Sequence, residues 1–169
     1  LGLTDEELCQ TGVLLGADVP YCIKKGTMLS QGIGDILSPL PALGQVWIVL
    51  VNPGIAVSTA YVYKHLELDK FPCHPGTNKM IKAIQENNIP CIASCMFNVM
   101  ETVTIKEYPV LDEIKKFLEG SGAAGALMSG SGPTVFGIFE NENKAREAYH
   151  KAKEEYNNFS IILCHTVQS

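Results

Sequence analysis

Gly125-Ala126-Leu127-Met128, then Ser129-Gly130-Ser131-Gly132-Pro133-Thr134, then Val135-Phe136-Gly137-Ile138-Phe139: two short apolar runs joined by six small turn-forming residues. The runs (residues 124–128 and 135–139) have the length and side chains of strands, so the stretch reads as strand, loop, strand. The loop is also the strongest local candidate for binding. Its glycines let the backbone approach a ligand closely, and its amides with the hydroxyls of Ser129 and Ser131 could line a pocket for anionic oxygens such as phosphate. A plain connection between strands is the competing reading, because short glycine loops are common. No Gly-Lys-Ser/Thr follows, which excludes a Walker loop, and no G-x-G-x-x-G opens a helix.

Downstream, Asn141 caps a helix in which Ala145, Ala148, Ala152 and Tyr156 recur at helical spacing, and residues 159–166 supply a final strand. Upstream, Pro109 starts an amphipathic helix with Val110, Ile114, Phe117 and Leu118 facing inward, ending at Gly120. Residues 90–104 have high apolar content without a clear period; the lack of turn residues favours helix. Thr77 opens a helix with Met80, Ile81 and Ile84 on one face, and Ser58 opens another through Leu66. Val46-Trp47-Ile48-Val49-Leu50-Val51, ended by Asn52-Pro53-Gly54, reads as a buried strand inside a sheet. Runs of helices between a few strands, with a hairpin among them, predict an α+β fold: a mostly antiparallel sheet with helices packed on one face.

Ser38-Pro39-Leu40-Pro41-Ala42-Leu43-Gly44 blocks both helix and central strand, which places a domain junction there. Before it, Thr4-Asp5-Glu6-Glu7 is a capping box that starts a helix, with Leu8, Gly12 and Leu15 on one face and its end near Gly16. Tyr21-Cys22-Ile23 and Thr27-Met28-Leu29 read as two short strands or one hairpin, the second bounded by Gly32 and Gly34.

Composition narrows the function classes. With 169 residues, 46% of them hydrophobic and 18% charged, the chain has enough apolar material for a core and fits one domain, or one domain plus a fragment. Its net charge of −5 and the lack of a basic patch argue against nucleic acid. No apolar run approaches the ~20 residues needed to span a bilayer, and no secretory signal is visible, which gives a cytoplasmic expectation. Six cysteines without a C-x-x-C pair, and four scattered histidines, read as reduced, mostly buried thiols with no metal site. The first residue is Leu1 rather than Met, so a processed or truncated product is expected.

Two further positions can carry chemistry. Asp18, in Gly16-Ala17-Asp18-Val19-Pro20, places a lone carboxylate in a turn, where it could accept a proton from a substrate hydroxyl or simply bond its own turn. Ser58 and Thr59 stand at a helix start and could cap it or touch a ligand, capping being favoured. Asp5, Glu6, Glu7, Lys115 and Lys116 read as solvated charges.

Together, Leu15-Gly16-Ala17-Asp18-Val19-Pro20, Gly32-Ile33-Gly34-Asp35-Ile36-Leu37, Gly54 with Val57-Ser58-Thr59-Ala60, and the segment from Gly125 through the Ser129 loop to Gly137 resemble the 4-diphosphocytidyl-2-C-methyl-D-erythritol kinases of the GHMP kinase superfamily. The motifs run in the family's order along the whole chain. The resemblance implies an ATP-dependent kinase of non-mevalonate isoprenoid biosynthesis that phosphorylates the 2-hydroxyl of a cytidine diphosphate-linked methylerythritol, with Mg²⁺. It places Asp18 on the catalytic aspartate, which in the family works with an amino-terminal lysine. Thr59 falls on a substrate-side position, and Ser129, Gly130, Ser131 and Gly132 on the loop that closes over the nucleotide phosphates. The family's lysine-bearing start and its glycine- and serine-rich second motif have no counterpart here.

By the resemblance, residues 1–38 are therefore the tail of the amino-terminal domain and residues 39–169 the carboxy-terminal domain. The missing amino-terminal part of the same enzyme would be a partner, holding most of the metal ligands. The fragment alone should be inactive, and its tail should expose apolar surface and rearrange or self-associate. The alternatives are another GHMP kinase, such as a mevalonate or homoserine kinase, against which the Gly16 to Pro20 string argues, and a non-catalytic ligand-binding or interaction module.

Overall fold

The computed structural model describes residues 2–67, 69 and 76–167. It divides into two compact units, residues 1–44 with 167–169 and residues 45–166.

The smaller unit begins with α1 (Asp5–Gly12). Thr4 Oγ1 accepts the Glu7 amide at 3.3 Å and Glu7 Oε2 accepts the Thr4 amide at 2.8 Å, the expected capping box. The helix stops at Gly12, a turn earlier than Gly16, and leaves Leu15 85% exposed instead of on an inner face. Gly12 is where α1 meets α2 (Val19–Lys24): a Cβ there would lie 2.6 Å from Val19 Cγ1. The strand expected at Tyr21-Cys22-Ile23 is thus a helix. Pro20 in its first turn has a preset helical φ, and Lys24 in its last turn reaches Glu6 of α1 at 2.9 Å. The hairpin lies later, between β1 (Met28–Gln31) and β2 (Ile36–Pro39), antiparallel with Met28 opposite Pro39. Gly32 and Gly34, both at positive φ, make its turn.

The larger unit carries a four-stranded antiparallel sheet, order β4-β5-β3-β6. Its strands are β3 (Trp47–Asn52), β4 (Gly125–Met128), β5 (Val135–Phe139) and β6 (Ser160–His165). The apolar run that opened this unit in sequence is one of its two interior strands, paired on both sides, with Val49 opposite Gly137 and Leu163. Strand alternation sends Val49, Val51, Ala126, Met128, Val135 and Phe139 to one face. There they pack on α7 (Val110–Gly120), through Leu111, Ile114 and Leu118, and on α8 (Glu142–Glu155), through Ala145, Ala148 and Ala152. Alanine spacing lets α8 approach the sheet closely. Asn141 caps α8 as anticipated.

α3 (Thr59–His65) begins after the Ser58 cap, whose hydroxyl accepts the Tyr61 amide at 3.3 Å. α4 (Thr77–Gln85) follows the glycine turn at Gly76. The ambiguous stretch resolves into two helices, α5 (Ile89–Cys95) and α6 (Glu101–Glu107), broken at residues 96–100. Besides the helices on the core face, α5 touches β4 from the other: a Cβ on Gly125 would stand 3.0 Å from Ala93 Cβ. Among the described residues Cys9, Cys22, Cys91, Cys95 and Cys164 are unpaired thiols. They are partly or fully exposed, not buried as composition suggested; Cys73 lies outside the described residues. No described helix is long and apolar enough to cross a membrane.

Candidate active site

The Ser129 to Thr134 loop joins β4 to β5 and closes on itself: the Ser129 amide donates to Thr134 O at 2.8 Å and the Gly132 amide to Ser129 O at 2.9 Å. Gly130 and Gly132 adopt positive φ, 55° and 92°, which only glycine takes without strain. Gly132 is also closely packed: a Cβ would meet Met128 Sδ at 2.8 Å, so the methionine side chain would have to shift.

Two of the positions singled out from sequence meet here. Thr59 Oγ1 and Ser131 Oγ are 2.8 Å apart although 72 residues separate them. Ser58 has taken the capping task, so the Thr59 hydroxyl is free to face the loop. Beyond the loop's far end, Asn52 Nδ2 donates to Thr134 Oγ1 at 2.8 Å while Asn52 Oδ1 accepts the Gly54 amide at 2.8 Å. That side chain fixes the end of β3 and the start of the α3 approach to the same loop.

Sequence reasoning missed the residues beneath the loop. Asn98 Nδ2 donates to Met128 O at 2.8 Å and to Gly130 O at 2.7 Å, while its Oδ1 accepts the Met100 amide at 3.0 Å. Thr104, buried, donates from Oγ1 to Ser131 O at 3.2 Å. Glu101 accepts the Met128 amide at 2.8 Å on one oxygen and the Lys115 ammonium at 2.5 Å on the other. Glu101 and Lys115 are mostly buried, so Lys115 is not the solvated charge it resembled in sequence. The one available signal was Asn98, an amide side chain inside an otherwise apolar stretch, which breaks the helix by bonding locally.

α3 and α6 also enclose a cavity of about 370 Å³, lined by Ser58, Tyr61, Val62, Thr104 and Glu107. Tyr61 Oη donates to Glu107 Oε1 at 3.3 Å. Partial burial first, then the Glu107 charge, push the Tyr61 hydroxyl above the usual phenol range.

Asp18 belongs to the smaller unit. It is the residue before the first turn of α2, is exposed, and its carboxylate makes no capping bond. Pro20 removes one of the amides such a cap would use, so the carboxylate is not spent on its own turn. Gly34 lies against it: a Cβ there would be 3.7 Å from Asp18 Oδ1. Two of the glycine-bearing motifs of this unit are therefore neighbours.

The larger unit is thus an antiparallel sheet backed by two helices, with a glycine loop between β4 and β5 fastened to the start of α3. Residues 80–158 match the family model "GHMP kinases C terminal". More particularly, the chain is similar to the 4-diphosphocytidyl-2-C-methyl-D-erythritol kinases. The Acetivibrio thermocellus enzyme is 54% identical over 153 residues, 90% of this chain and 54% of that protein. The Alkaliphilus metalliredigens enzyme is 45% identical over 171 residues, covering 100% of this chain and 56% of the relative. A crystal structure of 4-(cytidine 5'-diphospho)-2C-methyl-D-erythritol kinase superposes with a TM-score of 0.75 at 29% identity, over 92% of this chain and 56% of that one. Homoserine kinase from Cytophaga hutchinsonii gives 0.80 at 20% identity, over 98% and 58%, a similarity of fold alone. The chain spans about half the length of the curated relatives it matches.

Proposed function

We propose that this chain is the carboxy-terminal part of an ATP-dependent kinase that phosphorylates the 2-hydroxyl of 4-diphosphocytidyl-2-C-methyl-D-erythritol in non-mevalonate isoprenoid biosynthesis. The observation that carries this reading is the 2.8 Å contact between Thr59 and Ser131, which joins the substrate-side hydroxyl to the glycine loop as one polar surface. The substrate oxygen bonds to the γ-phosphorus, the bond from that phosphorus to the ADP oxygen breaks, and the hydroxyl proton passes to the Asp18 carboxylate. The amides of the loop from Ser129 to Gly132 stabilise the phosphate charge, and Thr59 orients the alcohol. Residues 1–38 form the tail of the amino-terminal domain, and residues 39–169 the carboxy-terminal domain. Mg²⁺ accompanies the ATP phosphates in this reading. Among the described residues no group of three or more His, Cys, Asp or Glu side chains is gathered to hold a metal.

Catalysis of this kind is mostly positioning and charge stabilisation, so a chain that carries only part of the machinery lowers the barrier little. ATP consumption with the cytidylyl polyol tests the reading, measured for this chain alone and for the chain joined to the amino-terminal half of a relative. Turnover appears only in the joined protein, and Asp18→Ala lowers it by about 10²- to 10⁴-fold without unfolding. Full turnover after Asp18→Ala removes the assignment and favours a binding module.

A further inference from the structure

Segment 98–104 grips residues 128–131 with four side-chain hydrogen bonds, two from Asn98 and one each to Glu101 and from Thr104. The pattern is selective. Three of the four bonds take carbonyl oxygens, those of Met128, Gly130 and Ser131, and turn them toward the protein. A trans peptide is planar, with its carbonyl and amide on opposite sides. Each carbonyl drawn inward therefore turns the next residue's amide outward. Two of those amides, of Ser129 and Gly132, are spent closing the loop. The third is the Ser131 amide, paired through its peptide with the Gly130 carbonyl that Asn98 holds at 2.7 Å. Ser131 also presents its hydroxyl at Thr59.

We infer that Asn98 is a positioning residue for the glycine loop, with Thr104 as its second anchor: together they set the Ser131 amide and hydroxyl outward, where a phosphate oxygen is received. This rests on the kinase reading of the loop. Asn98 suits the task because one planar amide both donates twice, to carbonyls two residues apart, and accepts from the Met100 amide that begins the turn into α6. Aspartate at this position keeps the acceptor and loses both donors, leaving a negative oxygen against two carbonyls. Thr104, buried under the loop, holds the next carbonyl along; serine keeps that donor and valine keeps only the shape.

The test uses the chain joined to the amino-terminal half of a relative, with the kinetic constants for ATP and for the cytidylyl polyol measured separately. Asn98→Asp and Asn98→Ala lower kcat/KM for ATP by about 30- to 100-fold, as a misplaced donor does, while KM for the polyol stays within about twofold. Thr104→Val gives a smaller loss of the same kind, about 10-fold, and Thr104→Ser restores it. Hydrogen exchange at the Ser129 and Gly132 amides is followed in the same proteins, and both exchange faster in the Asn98 variants. Wild-type kinetics in Asn98→Asp overturns the inference, as does an equal loss for both substrates that tracks a fall in Tm. Unchanged exchange overturns the anchoring itself. If the unmutated joined protein has no turnover while exchange still responds to Asn98, the kinase reading fails and takes the phosphate role of Ser131 with it, leaving only the anchored loop.

Discussion

The two units of this chain both combine helices with antiparallel strands but differ in what lies between the elements. In the larger unit, sheet and helices close on a cluster of fully buried side chains, Val49, Leu111, Ile114, Leu118 and Phe139 among them. In residues 2–44 only Gly12 and Pro20 are buried, and Leu14, Leu15 and Ile33 stand 85%, 85% and 74% exposed. One unit has a core; the other rests mainly on pairwise contacts, α1 on α2 and β1 on β2, with few buried side chains. Hydrogen bonds and capping suffice to draw secondary structure, whereas stability needs removal of apolar surface from water.

Four variants sharpen that contrast. Phe139→Ala, in the middle of the larger core, should cost about 3–5 kcal/mol in urea unfolding followed by tryptophan fluorescence, since Trp47 packs against the same cluster. Gly12→Val should cost less, about 1–3 kcal/mol, and only locally: the new side chain collides with Val19, so α1 and α2 lose amide protection while the β3 amides keep theirs. A double change of Leu14 and Leu15 to Ser should move unfolding by no more than about 0.5 kcal/mol, as exposed positions do. The same change should lower the apparent mass in light scattering if the smaller unit self-associates through its apolar surface. The smallest effect is on pH. The Thr4 amide and hydroxyl hold the Glu7 carboxyl below its ordinary range. The contribution of Glu7 to α1 is thus present above the usual carboxyl pKa and fades as pH falls through the lowered value. The Thr4→Ala variant should weaken this acid dependence in NMR titration of the α1 amides without abolishing it, because the amide of residue 4 remains.

The fold was legible where pattern and packing agree. Residues 46–51, 124–128 and 135–139 form strands of one sheet as their apolar runs indicated, and the helices expected to begin at Ser58, Thr77, Pro109 and Asn141 start at or one residue after those positions. Reading failed at Tyr21-Cys22-Ile23, whose residue types favour strand but follow Pro20, which commits the backbone to a helical turn. It failed again at residues 96–100, where one asparagine side chain breaks an apolar stretch. The candidate site divides in the same way. The glycine loop announces itself through composition, because its backbone demands glycine. Its supports do not, because Asn98 and Thr104 lie about 30 residues away from it in sequence and become partners only once β4 is beside α6.

Glu101 has one further consequence. Among the described residues β4 is an end strand of its sheet, and its Met128 amide faces away from β5. The Glu101 carboxylate occupies that amide, backed by the Lys115 ammonium, so an extended segment from another molecule finds a charge where it would have to begin zipping on. The same ion pair that steadies the loop's root thereby guards this edge of the sheet.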